Sequence, residues 1–373
     1  MRRFLALLLS SALSLAACGG DSGPDPADNP KAALRAAFEK IGEYEGLTIT
    51  LTLDSDTDSL VAISEGELTD EQAQTVLDSS LAITAKQGDK PEDAQLDLTA
   101  DISGDTAELK LVDQVLYARA DVSELVERFG GDTSELNQFR QQAPPGFEFI
   151  GPLLDGEWVA FEGLKEFAEQ FGGAQQTEED ADFQKDMAEK LGAAVEDNST
   201  VESVGEDDVG HHLEASIAVR GLYDAFLEVA GSAPGMGTLP PGAFPPASEI
   251  PNENLTIDAW IDGGDVVQLG FDFIRIAETF GGDPPPSGVE RLGLLVGIEE
   301  FTGNVETPDP AETVDFGQLM QGLLGVGAGG FMQEEGEAEV GEPQDLEDLC
   351  KQLKGAPDEV VEQFADECPE LQQ

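Results

Sequence analysis

Residues Leu47-Thr48-Ile49-Thr50-Leu51-Thr52-Leu53 alternate without interruption between aliphatic and hydroxyl side chains. Successive side chains of an extended strand point to opposite faces, so this run fits a sheet with one buried face and one wet face. A helix would scatter the leucines around its whole circumference. The same alternation returns at Asp97-Leu98-Thr99-Ala100-Asp101-Ile102, and further strands are expected over 80–87, 94–103, 106–112 and 115–120. The turns between them are short, as at Ser103-Gly104-Asp105, which makes the group an antiparallel meander.

Helical spacing flanks these strands. Leu34, Phe38 and Ile41 form one stripe of a helix from about Lys31 to Glu45, which Gly46 ends, and a short helix follows near 70–78. A strand-then-helix unit then recurs. Leu116–Arg119 leads into a helix over 121–129, Trp158–Phe161 into one over 162–171, and His212–Val219 into one over 221–230. Three segments end in similar words: Glu127-Arg128-Phe129-Gly130-Gly131, Glu169-Gln170-Phe171-Gly172-Gly173 and Glu278-Thr279-Phe280-Gly281-Gly282. Paired glycines suit helix C-termini that need positive φ. Segment 176–197 reads as a polar helix or an insertion, and the Pro- and Gly-rich stretch 232–251 as a long loop, either a lid or a linker. Strands resume at 254–261, 265–275 and 289–299, and a helix over 315–324 closes the core. The expected fold is α+β: a curved antiparallel sheet, a half-barrel of about 9–11 strands, with helices on one face.

The ends of the chain carry different signals. Arg2 and Arg3 precede an uncharged run of Leu, Ala and Ser to Ala17, too short to span a bilayer but of the length of a signal-peptide core. It ends in Leu15-Ala16-Ala17-Cys18, which resembles the lipobox of bacterial lipoproteins. Cleavage there would remove residues 1–17 as a signal peptide. Cys18 would be left as the lipidated first residue, at the outer face of a cytoplasmic membrane. Residues 18–30 then form a flexible Gly/Pro/Asp tether. The domain would run over 31–326, followed by an acidic linker over 327–344 and a helical hairpin over 345–373. With Cys18 taken by lipid, Cys350 and Cys368 remain as an even pair in an oxidising compartment, where a disulfide would close that hairpin.

Charge excludes one class of partner. The chain has 19 basic and 77 acidic residues and a net charge of −58. Such a surface repels nucleic-acid phosphates and anionic headgroups, so membrane contact must run through the anchor or an apolar surface. The 40% hydrophobic content and the patterned strands argue for a folded core beneath the acidic shell rather than for disorder. An excess of acid also fits a saline or alkaline habitat.

Signals for catalysis are scarce. His211 and His212 are the only histidines, and adjacent residues of a strand face opposite ways. No Gly-x-Ser-x-Gly word and no phosphate loop occurs. These features point away from an enzyme and call for no cofactor. Asp54, Asp56, Asp58 and Glu65 match positions 1, 3, 5 and 12 of a calcium-binding loop, with Ser59 where that loop needs glycine. The competing reading is that Asp56 or Asp58 caps a short helix starting near Ser59.

Several of these features together resemble a family. The lipobox, the first helix, the Leu-Thr-Ile-Thr-Leu strand, Leu116-Tyr117-Ala118-Arg119-Ala120-Asp121 opening a helix, and Gly156-Glu157-Trp158-Val159 resemble a large group of actinobacterial lipoproteins. The pattern is similar to the LppX/LprG mycobacterial lipoproteins and, more remotely, to half-barrels of the LolA/LolB and RseB type. The resemblance covers most of 30–325. It implies a bent sheet around a cavity that holds acyl chains, and gives Trp158, Trp260, Phe271 and Phe273 two readings, cavity lining or plain core. The acidity, the 176–197 segment and the cysteine-bearing tail depart from the pattern. Two functions follow as expectations: a carrier of lipid-like ligands, or an envelope interaction or sensor module without a small ligand. A two-lobed solute-binding protein fits the antiparallel meanders poorly.

Overall fold

The alternating segment becomes β1 (Gly46–Ser55), which stands at the seam of the molecule. On one side it pairs with β2 (Ser79–Lys86), and β3 (Gln95–Ile102), β4 (Asp105–Val112), β5 (Val115–Ala120) and β6 (Val159–Glu162) follow outward. On the other side it pairs with β11 (Leu292–Glu300), and β10 (Asp265–Asp272), β9 (Asn254–Asp262), β8 (His211–Ala218) and β7 (Ser199–Glu206) follow. With β12 (Glu312–Asp315) beyond β6 the sheet has twelve strands. All pairs are antiparallel except β12 with β6. The computed structural model describes residues 23–88, 90, 93–129, 131–141, 147–163, 190, 192–230, 246, 250, 252–282, 284–317 and 319. Contacts divide the chain into Met1–Gln321 and Gly322–Gln373, and every described residue belongs to the first unit. Residues 1–22 with Cys18, the tail with Cys350 and Cys368, and most of 162–171, 176–197, 232–251 and 315–324 lie outside the described residues.

Local chemistry sets the turns. The two central residues of three hairpins, Ser103-Gly104, Asp113-Gln114 and Gly263-Gly264, all have positive φ. Their handedness matches the twist of the flanking strands. Asp113 and Gln114 adopt it at φ 51° and 66° without a glycine.

Helices gather at one end of the sheet. The strands β1, β5, β8 and β10 all finish at the same end and run directly into helical connections. These are α2 (Thr57–Ile63) with α3 (Asp70–Leu77), α4 (Val122–Arg128), α7 (Val219–Ala230) and α8 (Phe273–Thr279). Elsewhere, α1 (Pro30–Ile41) lies against β7, β9 and β10. Its N-terminus is held at the helical end by Lys31, whose Nζ donates to the carbonyls of Glu196 and Ser199 at 2.6 and 2.8 Å. Its C-terminus is clamped at the far end, where Lys40 Nζ and the Tyr44 hydroxyl meet the Asp265 carboxylate. Burial first, and then Asp265, push the Tyr44 phenol well above its ordinary ionisation range. Short helices α5 (Ser134–Gln141) and α6 (Ile150–Leu154) precede β6.

A strap ties the seam to the distant edge. After β11, Phe301 N–H donates to Gly46 O, and a Cβ on Gly46 would come within 2.6 Å of the Phe301 carbonyl, so this approach requires glycine. Lys86 Nζ then binds Gly303 O and Asn304 Oδ1, and Gln95 Oε1 accepts from Val305 N–H. Val305 packs with Val112, Tyr117 and Ala160, and Ala311 N–H reaches Trp158 O just before β12. Residues 301–311 thus cross from the middle of the sheet to its rim.

The structure differs from the sequence reading in two element ends and four unexpected elements. The helix expected to reach Glu45 stops at Ile41, and Gly46 opens β1 instead. The strand expected through 275 ends at Asp272, whose carboxylate caps Ile274 and Arg275 N–H and turns Phe273 into the first residue of α8. Finally, β7, α5, α6 and the edge strand β12 have no counterpart in that reading.

Candidate functional site

The register puts one continuous apolar face across the sheet. Reading outward from the seam, Ile49 faces Ile83, then Leu98, Leu109, Ala118 and Val159; one row along, Leu47 faces Ala85, Leu96, Leu111, Leu116, Phe161 and Val314. On the other side Leu51 faces Val296, Leu269, Ala259 and Leu213. Pairing partners directly opposite share a face, so these belong to one surface.

That surface is covered at both flanks. Ala33, Leu34, Ala37 and Ile41 of α1 bury Leu213, Ala215, Ala259, Ile261, Leu269 and Val296. At the other flank Phe149 of the α6 turn packs edge-on against Phe161, ring centroids 5.4 Å apart, with Val159 beneath. Between them lie Leu81, Ile83, Leu96, Leu98, Leu109 and Leu111, all half-buried and, among the described residues, in none of the fully buried clusters. Among the described elements no helix packs extensively on β2, β3 or β4. At the helical end of this stretch the row Leu81, Ala100, Ala107, Ala120 narrows to small side chains. Three strands about 4.8 Å apart and eight residues long at about 3.4 Å each outline an apolar strip roughly 10 Å by 27 Å.

Outside the Val112, Tyr117 and Ala160 patch beneath the strap, the opposite face carries polar, mutually paired side chains. Thr48 and Thr84 hydroxyls meet at 2.9 Å. Lys110 lies 3.3 Å from Asp97 and 3.4 Å from Glu108, which also pairs with Arg119. Lys110 and Arg119 both approach the Trp158 ring, at 5.3 and 4.9 Å from its centroid. At the other half of the sheet His212 Nε2 contacts Asp258 at 2.7 Å and its ring stacks on Trp260 at 4.5 Å. Trp260 Nε1–H donates to Asp207, and this bond, followed by the Val209 amide, holds the Asp207 carboxyl below its ordinary range.

The predicted site residues are therefore dispersed. Trp158 and Trp260 sit on the polar side, toward opposite halves of the sheet; Phe271 lies on the apolar face beside the α1 core, and Phe273 has left the sheet for α8. Of the acidic set, Asp54 pairs with Arg291, and Asp56 caps α2 by accepting from Ser59 N–H at 2.8 Å. Asp58 lies in the first turn of α2, and Glu65 follows the helix at φ 55°. Among the described residues no three acidic, histidine or cysteine side chains are arranged to hold a metal ion. The capping alternative accounts for Asp56. His211 bonds Ser203 while His212 bonds Asp258, so the adjacent histidines serve different neighbours.

Among the described residues are concavities of about 250 and 230 Å³, the first lined by Asp105, Arg119, Asp121, Glu124 and Asp155 and the second by Lys31, Arg35 and Glu196; neither of these includes a residue of the apolar strip. Among the described residues no helix is long and apolar enough to cross a membrane.

No protein-family model matches the chain, and no curated protein does either. Among solved structures it is similar to the crystal structure of LprF from Mycobacterium bovis, with 13% identity, 78% of this chain and 100% of that chain covered, and a TM-score of 0.32. It is also similar to the Mycobacterium tuberculosis lipoprotein LppX, with 9% identity, 76% and 100% covered, and a TM-score of 0.29.

Proposed function

We propose that the chain is a membrane-anchored extracytoplasmic lipoprotein, lipidated on Cys18, that binds lipid-like molecules along the apolar strip of β2–β4. The observation that carries this reading is a change in packing along one face among the described residues. The same aliphatic face is closed into core under α1 and beside α6, yet among the described residues Ile83, Leu98 and Leu109, in the row between them, join no buried cluster.

A strip of this width and length accommodates one or two alkyl chains laid along the strands. Burying a chain of about 16 carbons contributes on the order of 10 kcal/mol before ordering costs, enough to keep a ligand loaded. The family resemblance and the Cys18 anchor support the same reading, since a tether places the strip beside a source of acyl chains. The role is binding rather than catalysis.

The test is native mass spectrometry of the full chain made with its own leader. One or two co-purified acyl lipids per chain are expected, with a clear loss of occupancy in Leu98→Asn. Absence of lipid, together with no saturable uptake of a fluorescent fatty acid, would overturn the proposal.

A further inference from the structure

Five large apolar side chains are exposed among the described residues, and their placement is uneven. Ile63, at 39% exposure, ends α2; Phe129, at 39%, is the C-cap of α4; Phe280, at 48%, is the C-cap of α8. All three belong to the helical connections at the end of the sheet where α1, and with it the tether, begins. Two of them are the phenylalanines of the repeated Phe-Gly-Gly words. In each the aromatic residue closes a seven-residue helix, and the second glycine of the word bonds back to it, Gly131 N–H to Val126 O and Gly282 N–H to Ala277 O.

These connections touch one another. Ser59 Oγ of α2 accepts from Glu290 and Arg291 N–H in the segment after α8, at 3.0 and 3.3 Å. α2 packs on α3, and α3 reaches α4 through Gln72 Nε2, which donates to Phe129 O at 3.2 Å. Ile63, Phe129 and Phe280 are therefore carried by one joined crown of helices. A bilayer is the occupant that the chain layout favours: an anchor at Cys18 leaves about a dozen residues to α1, a reach of roughly 40 Å fully extended. The many carboxylates of the crown, among them Asp58, Asp70, Glu127 and Glu278, exclude attraction by anionic lipid.

We infer that Ile63, Phe129 and Phe280 are membrane-contact tips, which seat the helical end of the sheet on a zwitterionic lipid surface. This inference rests on the proposed anchor at Cys18 but not on a ligand in the β2–β4 strip. Val204 and Val209, the remaining exposed apolar residues, lie in the β7–β8 hairpin at the opposite end and serve as the internal control.

Hydrogen exchange of the full lipidated chain in phosphatidylcholine vesicles, compared with the same chain in detergent, tests this. Amides after α2, α4 and α8 should exchange at least fivefold more slowly in vesicles, while those around Val209 are unchanged. Phe129→Ser with Phe280→Ser should abolish that protection without releasing the protein, and Phe280→Ser alone should weaken it. A chain that floats with the vesicles but shows no protection, or equal protection at both ends, overturns the docking inference alone. A chain that does not float overturns both this inference and the anchor.

Discussion

The half of the sheet under α1 and the strip over β2–β4 are built from the same alternation and end in different states. Leu213 is fully buried, because α1 brings Ala33 and Ala37 close to the strands and fills the remaining space with Leu34 and Ile41. Leu98, of the same type and on the same face, is half-buried. Alternation decides which face must leave water; the covering element decides whether that face becomes core or a surface for something else.

The sharpest way to break this comparison is to truncate matching leucines. Leu213→Ala should lose about 2–5 kcal/mol in urea unfolding, whereas Leu98→Ala should lose at most about 1.5 kcal/mol. Equal losses would mean that the two regions are packed alike. Overpacking offers a second test, since Ala37 has no exposed surface: Ala37→Leu should cost about 1–3 kcal/mol and leave the β2–β4 strip unchanged by hydrogen exchange.

Tyr44→Phe removes one of the two groups that clamp the end of α1 and should cost about 1.5 kcal/mol at neutral pH. The folded-state pKa of Tyr44 is raised, so this stabilisation is complete below the ordinary tyrosine range and is lost as pH climbs through the raised value. The gap between Tyr44→Phe and the parent in chemical denaturation should therefore be constant to about pH 10 and close above it. At the β4–β5 turn, Gln114→Gly should raise stability by about 1 kcal/mol by relieving a left-handed backbone. The smallest effect concerns Asp207, whose lowered pKa makes its contribution present above the ordinary aspartate range and lost as pH falls through the depressed value. Trp260 emission should shift at that acidic step, and Asp207→Asn should remove the step.

Much of the sheet could be read from parity alone. Leu47, Ile49 and Leu51 fix the apolar face of β1, and the short turns extend it through β5. Parity also held an unused signal for the tryptophans. Trp260 alternates with Leu255, Ile257, Ala259 and Ile261 and shares its side with Thr256, Asp258 and Asp262, which marks it as facing the polar side. Trp158 is likewise out of phase with Val159 and Phe161. The edge strand β7, Ser-Thr-Val-Glu-Ser-Val-Gly-Glu, gives a weak signal because it has little to bury. Phe273 misleads because a hydrophobic run continues past Asp272, while one capping carboxylate changes the backbone. Which part of the face α1 and α6 would cover depends on long-range packing and has no local signature.

The strap of residues 301–311 makes the two ends of the sheet differently fastened. On the polar side it fastens β1, β2 and β3 to the rim near β6, through Gly46, Lys86, Gln95 and Trp158. The far ends of β1, β2 and β3 are thus held by one irregular segment, whereas at the other end β1 and β5 run into helices.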